Sequence, residues 1–183
     1  MSTAKFQQAQ LAVTSGVFAL VVLHLGWELM RGGVVSHHFL ARADMPSISN
    51  WWGLVLVPAL AWFVAGRVLG RGTHNELGDG LIPANIRRAL PAFCGALVYG
   101  GIFALSFAFA FGVERYLVLA PFAIGVVLPI YRGEYILGFV LGMMFTFGGI
   151  LPMFFAAVFA TFSWLARTLS RSAMRLAGRF KRG

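Results

Sequence analysis

Apolar residues form five long stretches along the chain, and polar segments separate them. The stretches cover residues 11–30, 51–69, 91–113, 116–131 and 135–166. A helix needs about 20 apolar residues to cross the ~30 Å hydrocarbon core of a bilayer. The pattern therefore predicts an all-α fold, a polytopic transmembrane helix bundle. Only Glu114 and Arg115 separate the third stretch from the fourth, which indicates an antiparallel helix hairpin.

The last stretch, residues 135–166, does not fit a single span. One helix of this length would be about 50 Å long, whereas two full spans need about 40 residues. Gly148, Gly149 and Pro152 lie near its middle, and such residues can end one helix and start another. We therefore expect about six segments, with the last two as a tight pair of short helices or a re-entrant hairpin. Five segments is the alternative.

The distribution of basic residues predicts the orientation, because Lys and Arg beside a membrane segment resist translocation. Residues 135–183 contain no Asp or Glu. The end of this segment carries six basic residues: Arg167, Arg171, Arg175, Arg179, Lys181 and Arg182. Four arginines flank the second loop: Arg67, Arg71, Arg87 and Arg88. Six segments place this loop, Lys5 and the tail on one side, so we expect a multi-pass protein of the bacterial inner membrane with both termini cytoplasmic.

We divide the chain into a helical bundle at residues 1–166 and a basic cytoplasmic tail at residues 167–183. Arginines recur every four residues in the tail with leucines between them, a pattern that predicts an amphipathic helix on anionic lipid. The net charge is +9, but the basic residues lie at the margins of the apolar stretches, where they serve topology. The expected partners are the bilayer, anionic lipids and a homo-oligomer or membrane complex, and not nucleic acid.

The composition agrees with an integral membrane protein. Charged residues make up 11% of the chain and hydrophobic residues 59%, whereas soluble domains have about 25% charged residues. The only cysteine, Cys94, excludes an intramolecular disulfide. The signatures of nucleotide hydrolysis, serine hydrolysis, zincin proteolysis and dithiol chemistry are absent.

The first candidate for chemistry lies in the first stretch. His24 and Glu28 are four residues apart and share one helix face, and Arg31 follows at i+3. An ionisable pair inside a span is costly, so it usually faces the protein interior or water and has a partner. Three interpretations remain open: a structural His–Glu–Arg network, a proton or ligand relay, and a metal site.

The loop that follows supplies the second candidate. Imidazoles and carboxylates are ligands of zinc, copper and iron, and His37, His38 and Asp44 follow His24 closely. The candidate ligand-binding residues are His24, Glu28, His37, His38, Asp44, Asn50, Trp51 and Trp52. The candidate cofactor is a divalent transition metal, with His24, His37, His38 and Asp44 as its ligands. The alternative is an interfacial loop, with a turn around Asp44 and Ser49 or Asn50 as the helix cap.

A third feature is the glycine pattern of residues 138–149. Gly138 and Gly142 form a small-xxx-small pattern that lets helices approach closely. Packing is the favoured interpretation, and the wall of a pore or ligand site is the alternative. Just before it, Arg132 and Glu134 are expected to pair or to anchor the chain at the cytoplasmic interface.

Three functions remain as hypotheses. The favoured one is binding and passage of a small solute or ion through a polar site near the periplasmic face, alone or as the membrane subunit of a complex. The second is a metal-dependent membrane enzyme acting on a lipid or isoprenoid, in which Asp44 and the histidines hold the ion and Glu28 moves protons. The third is a non-catalytic scaffold subunit, in which the polar residues are structural.

Overall fold

The computed structural model describes residues 3–34, 36–38, 47–71 and 83–180, and its architecture is a bundle of helices. The helices are α1 (Thr3–Met30), α2 (Gly53–Gly70), α3 (Ala84–Phe109), α4 (Glu114–Val127), α5 (Gly133–Phe147) and α6 (Ile150–Phe180). Four segments are long and apolar enough to cross a membrane: Ala4–Met30, Asn50–Gly70, Ala84–Phe109 and Ile150–Arg175. These findings support the predicted multi-pass helical protein, with six helices in the part of the chain described.

A short antiparallel ladder connects α1 to α2, which the all-α prediction did not include. Strand β1 (Ser36–His38) pairs with strand β2 (Ser47–Ser49), so that Ser36 lies opposite Ser49. A single 3-10 turn, Asn50–Trp52, then leads into α2. The Ser49 hydroxyl caps this turn by accepting a hydrogen bond from the Trp51 backbone amide at 3.4 Å. The prediction that Ser49 or Asn50 caps the second helix is wrong for α2 itself, which follows Trp52 without a side-chain cap.

The predicted break in residues 135–166 is confirmed, but its two parts are unequal. α5 ends at Phe147, and Gly148 follows with a φ of +68°, a conformation that glycine adopts without strain. α6 has 31 residues and continues through residue 166 into the tail, so it is not the second of two short helices. The short helices are α4 and α5, with 14 and 15 residues. Each is roughly 20 Å long, less than the ~30 Å core.

The most extensive contact between the described helices is that of α3 with α5. A β-carbon added at Gly138 or Gly142 would overlap the carbonyl oxygens of Phe93 and Leu97, respectively. In the other direction, a β-carbon at Gly100 would lie 2.6 Å from the Phe139 carbonyl oxygen. The backbones of the two helices therefore touch directly, which confirms that Gly138 and Gly142 serve packing.

Polar contacts between helices define the two ends of the bundle. Near the end of α1, Glu28 accepts a hydrogen bond from Asn50, and we call this side the Glu28 end. On the opposite side, Arg71 pairs with Glu134 in the first turn of α5, and we call it the Glu134 end. Asn85 in α3 donates to carbonyls in the last turn of α2, so α3 also begins at the Glu134 end.

Ring and backbone contacts show at which end of the bundle the remaining helices begin and end. Phe107 near the end of α3 packs against Phe147 at the end of α5, with ring centroids 5.2 Å apart. The Gly149 backbone lies against Gly53 at the start of α2, so α6 begins at the Glu28 end. The chain therefore alternates in direction from helix to helix, and the starts of α1, α3 and α5 lie on the same side as the basic end of α6.

Substitution of Gly142 tests the contact between α3 and α5. We expect Gly142→Ala to lower the melting temperature of the purified protein in detergent, because overpacking a tight contact costs about 1–3 kcal/mol. Gly95→Ala is the matched control on α3, because a β-carbon there meets nothing within 4 Å. Equal melting temperatures for the two variants would contradict the close approach of these helices.

Candidate functional site

The candidate site is built around Glu28, a carboxylate close to the end of α1. His24 lies one helical turn earlier, and its Nε2 atom is 3.2 Å from Glu28 Oε1. The side chains are 3% and 10% exposed, respectively. Helical spacing places both on one face of α1, and the helix presents this face to α2. A charged carboxylate in such a position requires nearby donors, because burial without them is costly.

Asn50 supplies one of these donors from the turn that precedes α2. Its Nδ2 atom donates to Glu28 Oε1 at 2.7 Å, and the residue is 2% exposed. The cap on this turn, provided by Ser49, fixes the backbone from which Asn50 projects. The β1–β2 ladder holds the same turn from the loop side, so α1, the ladder and α2 together position the contact.

The break between α5 and α6 forms the other wall of the site. A β-carbon at Gly148 would overlap the Asn50 side-chain amide, and one at Gly149 would lie 2.7 Å from Val57 Cγ2. Only glycine fits at Gly148, since its φ is positive as well. The glycine pair therefore brings unwound backbone against the buried amide of Asn50.

The His24 ring has unused hydrogen-bonding capacity. Its Nε2 atom is within ion-pair distance of Glu28, but its direction is not that of a hydrogen bond. Its Nδ1 atom is also buried and has no hydrogen-bond partner among the described residues. The Phe145 ring of α5 packs edge-on against the imidazole, with centroids 5.6 Å apart. An imidazole offers a donor or an acceptor at each nitrogen, and neither is used in a hydrogen bond within the described part of the chain.

The structure brings together three of the eight predicted site residues: His24, Glu28 and Asn50. Trp51 and Trp52 follow Asn50 directly, but their side chains are 50% and 61% exposed. They lie where an aromatic belt at the membrane interface would be expected.

The remaining predicted ligands lie on the loop. The ladder brings the backbones of His37 and His38 beside β2, which leads into Asn50. Asp44 lies outside the described residues. No group of three or more His, Cys, Asp or Glu side chains that could hold a metal occurs among the residues placed in the structure. The metal set of His24, His37, His38 and Asp44 therefore stays a prediction.

Arg31, the third member of the predicted His–Glu–Arg network, contacts an aromatic ring. Its guanidinium group lies over the Trp27 ring, 4.4 Å from the ring centroid. Cation–π contact of this kind stabilises an arginine at the edge of an apolar surface. Glu28 contacts His24 on the same helix and Asn50, which is distant in sequence.

A second buried carboxylate, Glu134, lies at the opposite end of the bundle. Its Oε1 atom is 2.8 Å from Arg132 Nε and 2.9 Å from Arg71 Nη1. The predicted pairing with Arg132 is confirmed, and Arg71 was missed because it lies 63 residues away in the sequence. Two guanidinium groups hold this 2%-exposed carboxylate at the start of α5, where the helix dipole also favours negative charge.

Comparisons with protein-family models, curated proteins and solved structures found no match for this chain.

A double-mutant cycle tests the contact of Glu28 with Asn50. We expect Asn50→Ala to destabilise the protein by about 1–3 kcal/mol, because the buried carboxylate loses a donor. The same change should cost less in a Glu28→Gln background, where no charge needs the amide. Melting temperatures of the wild type, both single variants and the double variant give the coupling energy, and the exposed Ser170→Ala serves as the neutral control. Strict additivity would contradict a direct interaction.

Proposed function

We propose that the protein binds a small solute or ion at His24, Glu28 and Asn50 and passes it across the bacterial inner membrane, alone or as the membrane subunit of a complex. The observation that carries the proposal is the buried His24 ring, whose nitrogens lack hydrogen bonds within the described part of the chain while it adjoins a carboxylate. A purely structural network would gain by satisfying these atoms.

The electrostatics of the site favour a cation, a proton or a hydrogen-bond donor as the ligand. Glu28 contributes negative charge, and the C-terminal end of α5 adds the negative end of a helix dipole. The Phe145 contact with His24 and the Gly148 contact with Asn50 place this helix end at the site. Helix ends next to unwound backbone form ion sites in several transporter architectures, and the α5–α6 break supplies the same elements here.

The proposed orientation places the Glu28 end at the periplasm and both termini in the cytoplasm. Among the described residues, the Glu134 end carries the larger set of basic residues: Lys5, Arg67, Arg71, Arg87, Arg88, Arg132, Arg167, Arg171 and Arg175. The Glu28 end carries Arg31 and Arg115. The positive-inside rule then orients the bundle, and the basic end of α6 would meet anionic lipid at the cytoplasmic surface.

Two alternatives remain as outcomes of the tests. The metal-dependent membrane enzyme requires ligands from the loop, namely His37, His38 and Asp44, in addition to His24. The scaffold subunit requires only that the Glu28 contacts stabilise the fold. The metal content of the purified protein distinguishes the metal-dependent enzyme from the proposed function. The flux measurement below distinguishes the scaffold subunit from it.

The proposed passage is tested with protons as the probe. Proteoliposomes containing a pH-sensitive dye should dissipate an imposed pH gradient faster than protein-free liposomes, because His24 and Glu28 can exchange protons. We expect His24→Gln and Glu28→Gln to reduce the rate to the protein-free level, and Trp164→Phe, at an exposed position outside the site, to leave it unchanged.

Two outcomes of this measurement would reject the proposal. Variants that conduct as well as the wild type would show that these residues are not on the route. If the wild type passes no protons, no ammonium and no potassium above the protein-free level, the scaffold alternative replaces the proposed passage.

The orientation is tested by cysteine labelling in a Cys94→Ala background. A cysteine at Val113 lies at the Glu28 end and one at Arg171 at the Glu134 end, and both positions are exposed. An impermeant maleimide added to cells with a permeabilised outer membrane should label position 113 and spare position 171. Labelling of position 171 alone would show that the bundle has the opposite orientation.

A further inference from the structure

We propose that a cavity between α3, α4, α5 and α6 binds one hydrocarbon chain of an anionic phospholipid, with the phosphate held at the Glu134 end. The cavity has a volume of about 400 Å³, within the ~300–1,000 Å³ range of ligand pockets. It is separate from the site at His24, Glu28 and Asn50, so this inference does not depend on the proposed function.

The lining of the cavity is suited to hydrocarbon. It includes Ala92, Gly95, Ile124, Phe139, Ala156 and Phe159. Of the two tyrosines that also line it, Tyr99 directs its hydroxyl to the Leu117 carbonyl oxygen, so this group is already satisfied. An apolar cavity of this kind holds water poorly and accepts apolar occupants.

The volume fits part of an acyl chain. A methylene group occupies roughly the volume of one water molecule, about 30 Å³, so the cavity takes roughly a dozen methylenes. The space exists because α3 presents small residues to α4, while its other side packs tightly on α5 through glycines. In a bilayer, the hydrocarbon next to such an opening is the acyl chain of a phospholipid.

The charge at one end of the cavity identifies the class of lipid. Leu128 lines the cavity, and the preceding carbonyls of Val126 and Val127 accept hydrogen bonds from Arg167 Nη1. The Nε atom of Arg167 is buried and has no hydrogen-bond partner in the described ranges. Arg132 follows the lining residue Ile130 by two positions. At this end of the described bundle, the guanidinium groups of Arg71, Arg132 and Arg167 outnumber the single carboxylate of Glu134, so a phosphate placed here would meet a positive field.

The test is lipid retention by the full chain, measured by native mass spectrometry in detergent with added phosphatidylglycerol or phosphatidylcholine. We expect the wild type to retain phosphatidylglycerol more strongly. Gly95→Leu should reduce this retention by about tenfold, equivalent to ~1.4 kcal/mol, because the new side chain fills the cavity. A β-carbon at Gly95 meets nothing within 4 Å, so the helix packing is kept.

Gly101→Leu is the matched control, because it lies on the same helix, has the same free space at its β-carbon and does not line the cavity. It should retain lipid as the wild type does. Equal retention by Gly95→Leu and Gly101→Leu would overturn the proposed cavity site. Lipid bound by the basic end of α6 does not affect this comparison, because both variants keep that segment unchanged.

The headgroup part is tested with Arg167→Gln, with the melting temperature measured in parallel. We expect this variant to lose the preference for phosphatidylglycerol over phosphatidylcholine while still binding a lipid chain. If this variant unfolds, the retention of the two lipids by the wild type tests the phosphate contact instead. Equal retention of the two lipids by the wild type, or an unchanged preference in folded Arg167→Gln, would overturn the phosphate contact.

Discussion

The structure depends on one constraint, which is that a bilayer offers no water to polar groups buried in its interior. The two buried carboxylates meet this constraint differently. Glu134 lies between two guanidinium groups, those of Arg71 and Arg132, which neutralise it firmly. Among the described contacts, Glu28 lies against the His24 imidazole and accepts a hydrogen bond from the Asn50 amide. Both carboxylates therefore have partners from another part of the chain, as burial requires.

The same constraint governs the backbone where helices end or approach one another. The last carbonyls of α4 accept hydrogen bonds from Ser163 and Arg167 of α6, so this short helix ends without exposing them to lipid. At the other end, the Gly148 backbone is covered by Asn50. The polar contact that completes the candidate site thus also covers the break between α5 and α6, which links the stability of the fold to the site.

Much of this arrangement could be predicted from local patterns in the sequence. The lengths of the apolar stretches predict the helices, and the i,i+4 spacing predicts the His24–Glu28 pair. The glycines predict the break and a close helix contact, although not that α3 is the partner of α5. Contacts across long sequence distances were harder to foresee. Arg71 reaches Glu134 from another helix, and the unequal lengths of α5 and α6 arise because the basic tail continues α6 as helix. The cavity was not predicted, since it results from how four helices pack.

The most direct test of the proposed site is the hydrogen bonding of the His24 ring in a bilayer. Nitrogen-15 solid-state NMR of histidine-labelled protein reports the hydrogen bonds of the ring nitrogens, and the His24→Gln variant assigns the signal among the four histidines. The account predicts a His24 signal without hydrogen bonds to the protein at its nitrogens and a change of this signal in Glu28→Gln. A His24 ring whose two nitrogens are both hydrogen-bonded within the protein, and whose signal is the same with and without Glu28, would contradict a ligand or proton site and leave a structural network.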